Sequence, residues 1–400
     1  MKVLISALGV NMGGALRHLR GFVPALAAEP SGHSYTLLAR KSIAVQLEAA
    51  NIRLETIDDA VSAGLFSRIW FDNVNLPAML REGCYDALVS LVNFGPIYPV
   101  KPHLLFQRNA LLFDSISSGR TRHRKSLDLW LRRFLAIQAM RRANVIVTPT
   151  RAMADIIRRS VPWTGRKQFC ILHHGFDFQP ALPSAPSCHP DMADCSGLRL
   201  LYPSHPGRHK GFEILLHAIS ILRSRGATFK LYLTTSPRDQ SVLTSRYEDA
   251  VRKLGIGDLV VFLGPISQEQ MPDIYASSDL LVYPSLVESF GFALLEGMAH
   301  RLPIVAADTP VNRELCQNAA LYYRATDATA AANAIESALC VATRAELLNY
   351  CENRLATFDW SWRRYVREFV QLLDHLQEDV AREALPRPTV KAILSSGTRL

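Results

Sequence analysis

Two carboxylates, Glu288 and Glu296, stand eight residues apart in the run Pro284-Ser285-Leu286-Val287-Glu288-Ser289-Phe290-Gly291-Phe292-Ala293-Leu294-Leu295-Glu296-Gly297-Met298-Ala299. From Phe290 onward nearly every other residue is apolar or small. A helix that is apolar on every side is buried on every side, and a carboxylate inside it is costly unless a partner answers its charge. Two partners suit Glu296: a cation within the protein, making an internal salt bridge, or a polyol such as ribose, whose hydroxyls donate to it. The amides of Gly291, Phe292 and Ala293 fall in the first turn. N–H groups there lack intrahelical acceptors and carry about half a positive charge between them, which suits an anionic ligand. Gly291 lets such a ligand approach the backbone closely.

A second loop, His205-Pro206-Gly207-Arg208-His209-Lys210-Gly211, follows an apolar run and precedes a helix pattern. Lys210 and Arg208 suit a diphosphate, because cations answer its charge and Gly211 keeps the backbone low. The alternative is a solvated basic loop. The loop 7–14, with Gly9, Gly13 and Gly14, is a phosphate or substrate loop or simply a tight turn. It matches neither GxGxxG nor GxxxxGK[ST]. There is no HExxH, GxSxG or DxD. A pocket lined by cations and a helix dipole needs no metal, and none is expected.

These residues need elements to hold them. Strand patterns at 3–7, 34–39, 52–57, 87–92, 103–106, 144–148 and 168–172 alternate with helix patterns at 15–28, 65–81, 125–142 and 152–160. The rhythm breaks at 179–197, where four prolines lie among Ser and Ala, and this stretch reads as a linker. It resumes with strands at 198–202, 229–235, 259–264, 279–283 and 304–307 and helices at 212–222 and 268–276, besides the one that carries Glu296. Strands separated by helices pair in parallel through right-handed crossovers. The fold class is therefore α/β, with two doubly wound, Rossmann-like domains facing each other across a cleft. Ligands in such sheets bind beyond the carboxyl ends of the strands, so the cleft is the expected site. The expected division is 1–178, linker 179–197, second domain 198–357, a helix 358–383 with Trp360, Trp362, Tyr365, Phe369, Leu372 and Leu373, and a loose tail 384–400.

The 400 residues exceed one ordinary core. Net charge is +9, which admits nucleic acid, acidic lipid or phosphorylated metabolites as partners. Nucleic acid is disfavoured, since no nucleic-acid motif is present. Residues 120–142 form a basic segment that either sits on anionic lipid headgroups or is a solvated face. The seven cysteines are scattered without a CxxC pair, and Cys188-His189 with Cys195 lacks the second half of a zinc pattern. Reduced thiols in a cytoplasmic protein are expected. No signal-peptide pattern opens the chain, and no apolar run reaches the roughly 18 residues of a spanning helix.

The segment from Pro284 to Glu296 is similar to the E-x7-E segment of the retaining glycosyltransferases of family 4, which have the GT-B fold. Gly264 after a strand, Tyr275 with Asp279, Lys210-Gly211, Thr148-Pro149-Thr150 and His174-Gly175-Phe176-Asp177 resemble that family too. The resemblance covers about residues 1–375 and is stronger in the second domain. It implies a nucleotide-diphosphate sugar as donor substrate, with no cofactor and no metal. Glu296 would bind the ribose and Lys210 the diphosphate. Glu288 and the amides of Gly291, Phe292 and Ala293 would meet sugar and phosphate, with Ser289 and Gly264 also in the donor site. The acceptor, a growing surface glycan or lipid-linked saccharide, would enter near Gly13 and Gly14. The C-terminal helix would cross back to the first domain.

Two positions depart from the family pattern. His205 stands where an Arg is common, five residues before the Lys, so either Arg208 substitutes or His205 itself donates. Where the family often has a His in the first domain, the chain reads Phe106-Gln107-Arg108-Asn109, which makes Arg108 and Asn109 candidates for contacting the donor sugar. A nucleotide-sugar epimerase of the same fold, or a non-catalytic subunit binding a glycan or a partner, are the rival readings.

Overall fold

The computed structural model describes residues 1–10, 13–44, 47, 52–60, 64–114, 125–177, 190–193, 197–235, 242–358 and 360–384. Outside these lie most of the expected linker, the expected tail after residue 384, Arg120, Arg122 and Arg124 of the basic segment, and Cys188, His189 and Cys195.

The first sheet has seven strands: β1 (Lys2–Ser6), β2 (Ser34–Arg40), β3 (Arg53–Ile57), β4 (Ala87–Ser90), β5 (His103–Phe106), β6 (Val145–Thr148) and β7 (Gln168–Ile171), in the order β3-β2-β1-β4-β5-β6-β7. The second has six: β8 (Leu198–Tyr202), β9 (Phe229–Leu233), β10 (Val260–Phe262), β11 (Leu280–Tyr283), β12 (Ile304–Ala307) and β13 (Leu321–Tyr323), in the order β10-β9-β8-β11-β12-β13. Every pairing is parallel. Strands such as β4, β11 and β12 are buried along their whole length, which is why they read as continuous apolar runs rather than alternating ones. This is the two-domain α/β architecture of the GT-B fold.

The helices of the first half are α1 (Gly13–Ala28), α2 (Leu65–Trp70), α3 (Leu76–Glu82), α4 (Lys125–Arg142) and α5 (Arg151–Ser160). Those of the second are α6 (Phe212–Ser224), α7 (Val242–Lys253), α8 (Met271–Ala276), α9 (Phe292–Ala299), α10 (Pro310–Cys316), α11 (Ala328–Leu339), α12 (Val341–Thr357) and α13 (Trp362–Ala384). Side chains alternate across each strand. Leu4 and Leu88 therefore pack with α2–α3, and Leu105 and Ile146 with α4–α5, on one face of the first sheet. Val3, Ile5, Val89, Leu104 and Phe106 pack on the other face with α1 and α13.

The last helix thus belongs to the core of the first domain: Tyr365, Val366, Phe369 and Leu373 are buried there with Leu19 and Phe22. The two chain crossings between the domains run side by side, with the Phe176 amide donating to the Trp360 carbonyl at 2.7 Å and the Trp362 amide to Asp177 at 3.0 Å. Trp362 wedges into this junction against Gly21 and Gly175. A Cβ at either would fall 2.0 and 2.4 Å from its ring.

Some elements differ from the sequence expectation. The helix expected over 65–81 is broken by a π-helical turn, Phe71–Asn75. Helices α7, α10, α11 and α12 and strand β13 were not expected. α11 is rich in alanine, which favours helix but marks no apolar face. Among the described residues no helix is long and apolar enough to cross a membrane.

Candidate active site

Strands β8 and β11 are neighbours, yet β8 leads on to β9 on one side and β11 to β12 on the other. Such a reversal opens a crevice beyond the carboxyl ends of the strands, and the loops 203–211 and 284–291 lie together there. Gly211 makes their contact possible. Its φ is +67°, and a Cβ would fall 2.1 Å from the Pro284 carbonyl oxygen. The Leu286 amide donates to the His209 carbonyl at 2.8 Å, and the Tyr202 hydroxyl to the Lys210 carbonyl at 2.8 Å. Gly211→Ala is expected to lower the unfolding temperature and to weaken ligand binding at this site. The left-handed conformation alone costs a non-glycine residue roughly 1–3 kcal/mol, and the backbone carbonyl it strikes has no side-chain freedom to yield. A thermal unfolding curve matching the parent's would overturn this account of the loop.

Held in this way, Lys210 Nζ donates to Glu288 Oε1 at 2.6 Å. The same oxygen accepts from the Ser285 hydroxyl at 2.6 Å and from the Tyr283 hydroxyl at 3.0 Å. Burial alone would push the Glu288 carboxyl up. Lys210 beside it, with the hydrogen bonds from Lys210 and Ser285, holds it below its ordinary value instead, so the pair is ionic at neutral pH. Burial and Lys210 push His209 down to about 4, against the pull of Glu288, which leaves the imidazole neutral. Arg208 and His205 are exposed on the same loop; Lys210 is the cation that Glu288 holds.

Helix α9 follows. Gly291 sits before it at φ +126°, a conformation that L side chains resist. The first intrahelical donor is the Leu294 amide, bonded to the Gly291 carbonyl at 3.0 Å, which leaves the amides of Gly291, Phe292 and Ala293 ahead of the ladder. Gly297 seats the helix on β11, since a Cβ there would meet Leu281 at 2.5 Å. One turn in from the N-terminus, Glu296 accepts from the Tyr275 hydroxyl at 2.5 Å and pairs with Arg17 of α1, in the other domain. The Arg17 guanidinium also lies 4.6 Å from the Phe292 ring, and its pKa is lowered by burial. In this structure, therefore, the Glu296 carboxylate has a protein cation as its partner.

The first domain has its own reversal between β1 and β4. Gly13, at φ +63°, opens α1 there, and a Cβ on Gly14 would lie 3.7 Å from the Phe292 ring. Asn93 fixes the loop after β5 by accepting from the amides of Arg108 at 2.7 Å and Asn109 at 3.0 Å. Arg108 turns beneath α1, where it donates to His18 Nε2 at 2.8 Å and to the Tyr365 hydroxyl at 3.3 Å. Burial, Arg108 and His174 together keep His18 neutral. His174 stacks on Phe292 with ring centroids 5.4 Å apart and meets His18 edge-on at 4.8 Å. An imidazole–aromatic column thus joins the two halves of the cleft.

The structure brings together Lys210, Glu288, Ser285, Gly291 and Phe292 on one side and Arg17, His18, Arg108 and Gly14 on the other. It does not bring in every expected residue. Asn109 caps a short turn by accepting from the Leu111 amide. Ser289 offers its carbonyl to the Thr150 hydroxyl at 3.0 Å across the domains. Gly264 lies just after β10, which is two strands away from β8 in the sheet. Arg17 and His18 were missed, although both follow closely on Gly13-Gly14 in the first turns of α1. At the junction, Glu314 of α10 accepts the two leading amides of α5 at 2.8 and 2.7 Å.

Residues 198–340 match the family model of glycosyl transferases group 1. The match covers the domain that carries Lys210, Glu288 and Glu296. Mannosylfructose-phosphate synthase of Agrobacterium fabrum is 32% identical over 101 residues, 24% of this chain and 22% of that protein. The O-antigen chain mannosyltransferase RfbU of Salmonella typhimurium is 34% identical over 90 residues, 22% of this chain and 26% of that protein. The chain thus spans about a quarter of the length of the curated relatives it matches. Among solved structures, sucrose-phosphate synthase from Thermosynechococcus elongatus superposes with a TM-score of 0.74 at 18% identity, covering 94% of this chain and 99% of that one. The Anabaena protein Alr3699/HepE in complex with UDP-glucose gives 0.69 at 16% identity, covering 94% and 100%. Likeness at this identity establishes the fold.

Proposed function

We propose that this chain is a retaining glycosyltransferase of family 4. It moves a hexose from a nucleotide-diphosphate sugar to a hydroxyl of a growing surface glycan or lipid-linked saccharide, and works in the cytoplasm on the inner face of a membrane. The observation that carries the reading is the convergence, at one switch point, of Lys210 with the free amides of α9, and of Glu296 one turn deeper with Tyr275 behind it. A diphosphate at that N-terminus meets a cation and a helix dipole. A ribose behind it meets a carboxylate acceptor. The group 1 match over this domain supports the class of reaction. The UDP-glucose complex of the Anabaena structure supports a nucleotide-sugar donor, and the mannosyltransferase relative a glycan acceptor.

When the sugar–phosphate bond breaks, the negative charge that develops on the leaving diphosphate is met by Lys210 and the α9 amides, preorganised and partly shielded from water. No metal ion takes part in this proposal. The acceptor hydroxyl passes its proton to the departing phosphate oxygen, and the new bond forms on the face that the phosphate leaves, which gives retention. The family's usual first-domain His is absent from the stretch after β5, and Arg108, which stands there, is turned beneath α1 onto His18 and Tyr365.

Thermal unfolding with UDP-, GDP-, ADP- and dTDP-sugars tests the donor assignment. The true donor at 100 times its Kd is expected to add about 2.7 kcal/mol of stability, and the purified chain should slowly hydrolyse it. Absence of any shift across the panel, with no sugar released, would overturn the reading.

A further inference from the structure

We infer that the layer of the first domain formed by α2–α3 and α4–α5 is a docking surface for an anionic lipid bilayer. The first observation is apolar exposure. Phe66 and Trp70, one turn apart on α2, are 80% and 65% exposed, and Leu127, Trp130 and Phe134 on α4 are 69%, 60% and 42% exposed. Trp130 and Phe134 stack on each other, ring centroids 5.8 Å apart, rather than turning inward. Aromatic side chains left in water on a helix face suit the boundary between headgroups and acyl chains.

The second observation is that the two helices present one surface. Both pack on the same face of the first sheet, through Leu88 for α2–α3 and Leu105 for α4. The loop between β4 and β5 is stapled to both: the Ile97 amide donates to Asn73 at 2.9 Å, and Arg142 donates to the Ile97 carbonyl at 3.1 Å. Its neighbour Tyr98, itself 61% exposed, stands between them. A buried ion pair, Arg68 with Asp72 at 2.8 Å, fixes the helix turn between Phe66 and Trp70 from below.

Charge is the third observation, and it chooses the occupant. Among the described residues, 125–167 hold ten Lys and Arg against two Asp, so this stretch carries nearly the whole +9 of the chain. Several of these cations are fixed by groups that do not neutralise them. Arg133 and Arg142 donate to backbone carbonyls, and Arg141 lies over the ring of Trp163. A second copy of the chain would meet like charge here, whereas anionic headgroups meet opposite charge and the aromatic side chains find an apolar phase.

The test is flotation of the whole chain with phosphatidylglycerol–phosphatidylcholine vesicles, compared with phosphatidylcholine alone, without donor or acceptor. Its outcome therefore does not depend on the glycosyl-transfer reading. Binding is expected to the anionic vesicles only, weakening as salt is added. Arg141→Gln should weaken it about fivefold, from about 1 kcal/mol per cation near such a surface. Trp70→Ser combined with Trp130→Ser should abolish it while leaving the unfolding temperature unchanged, since both side chains are exposed. Equal binding by that double variant, or none by the parent chain, would overturn the proposal. A dimer in sedimentation that the same variant dissolves would overturn it in favour of self-association.

Discussion

Lys210→Ala is expected to lower kcat/KM by about two to three orders of magnitude, the loss of roughly 2.7–4 kcal/mol that follows removal of one preorganised electrostatic donor. The proposed transition state carries its new charge on the diphosphate. The structure holds Lys210 rigidly, with its carbonyl tied to Tyr202 and its ammonium to Glu288. The variant also strands Glu288 as a buried carboxylate without its cation, so part of any loss would be structural. Lys210→Met combined with Glu288→Gln separates the two effects: stability should recover towards the parent's while kcat/KM stays low. Turnover close to the parent's in either variant would sink the assignment. The pair also sets an acid limit. The Glu288 pKa is depressed in the folded chain, so its contribution to stability is complete above the ordinary glutamate value and is lost only as pH falls through the lower folded value. kcat/KM in the parent should therefore be insensitive to Glu288 from neutrality down past that ordinary value.

Opposite effects are expected at Glu296 and Arg17. Glu296→Ala should raise the donor KM about tenfold or more, taking 1.5–3 kcal/mol for hydrogen bonds to a charged group, and leave the acceptor KM in place. Arg17→Ala should lower the donor Kd, because the guanidinium that pairs with the carboxylate across the domains competes with ribose hydroxyls for it. Calorimetric titration of the nucleotide into both variants checks this. If both variants bind as the parent does, Glu296 is an interdomain salt bridge and nothing more. The competition follows from where Arg17 lies, over Phe292 at the mouth of α9, so that the domain contact and the ligand share one carboxylate.

The two cases show how far the chain can be read without its fold. Alternation of apolar runs with helix patterns leads to two parallel α/β domains, because strands buried on both faces need continuous apolar sequence. The Glu288–Glu296 run announces a buried helix with charges to answer, since polar groups in an apolar helix are conspicuous. Lys210-Gly211 is legible as a cation beside a glycine. What sequence leaves open is partnership. It offers Glu296 a salt bridge or a ribose; the fold supplies Arg17 from 279 positions earlier in the chain, and a proposal that the two compete. It offers Arg208 and Lys210 alike, and only packing of Gly211 on Pro284 turns one towards Glu288 and leaves the other exposed. The imidazole column of His18 and His174 and the shared apolar face of α2 and α4 join residues far apart in the chain. Such contacts are set by the order of strands in a sheet and by the closing of two domains, and local spacing carries no record of either.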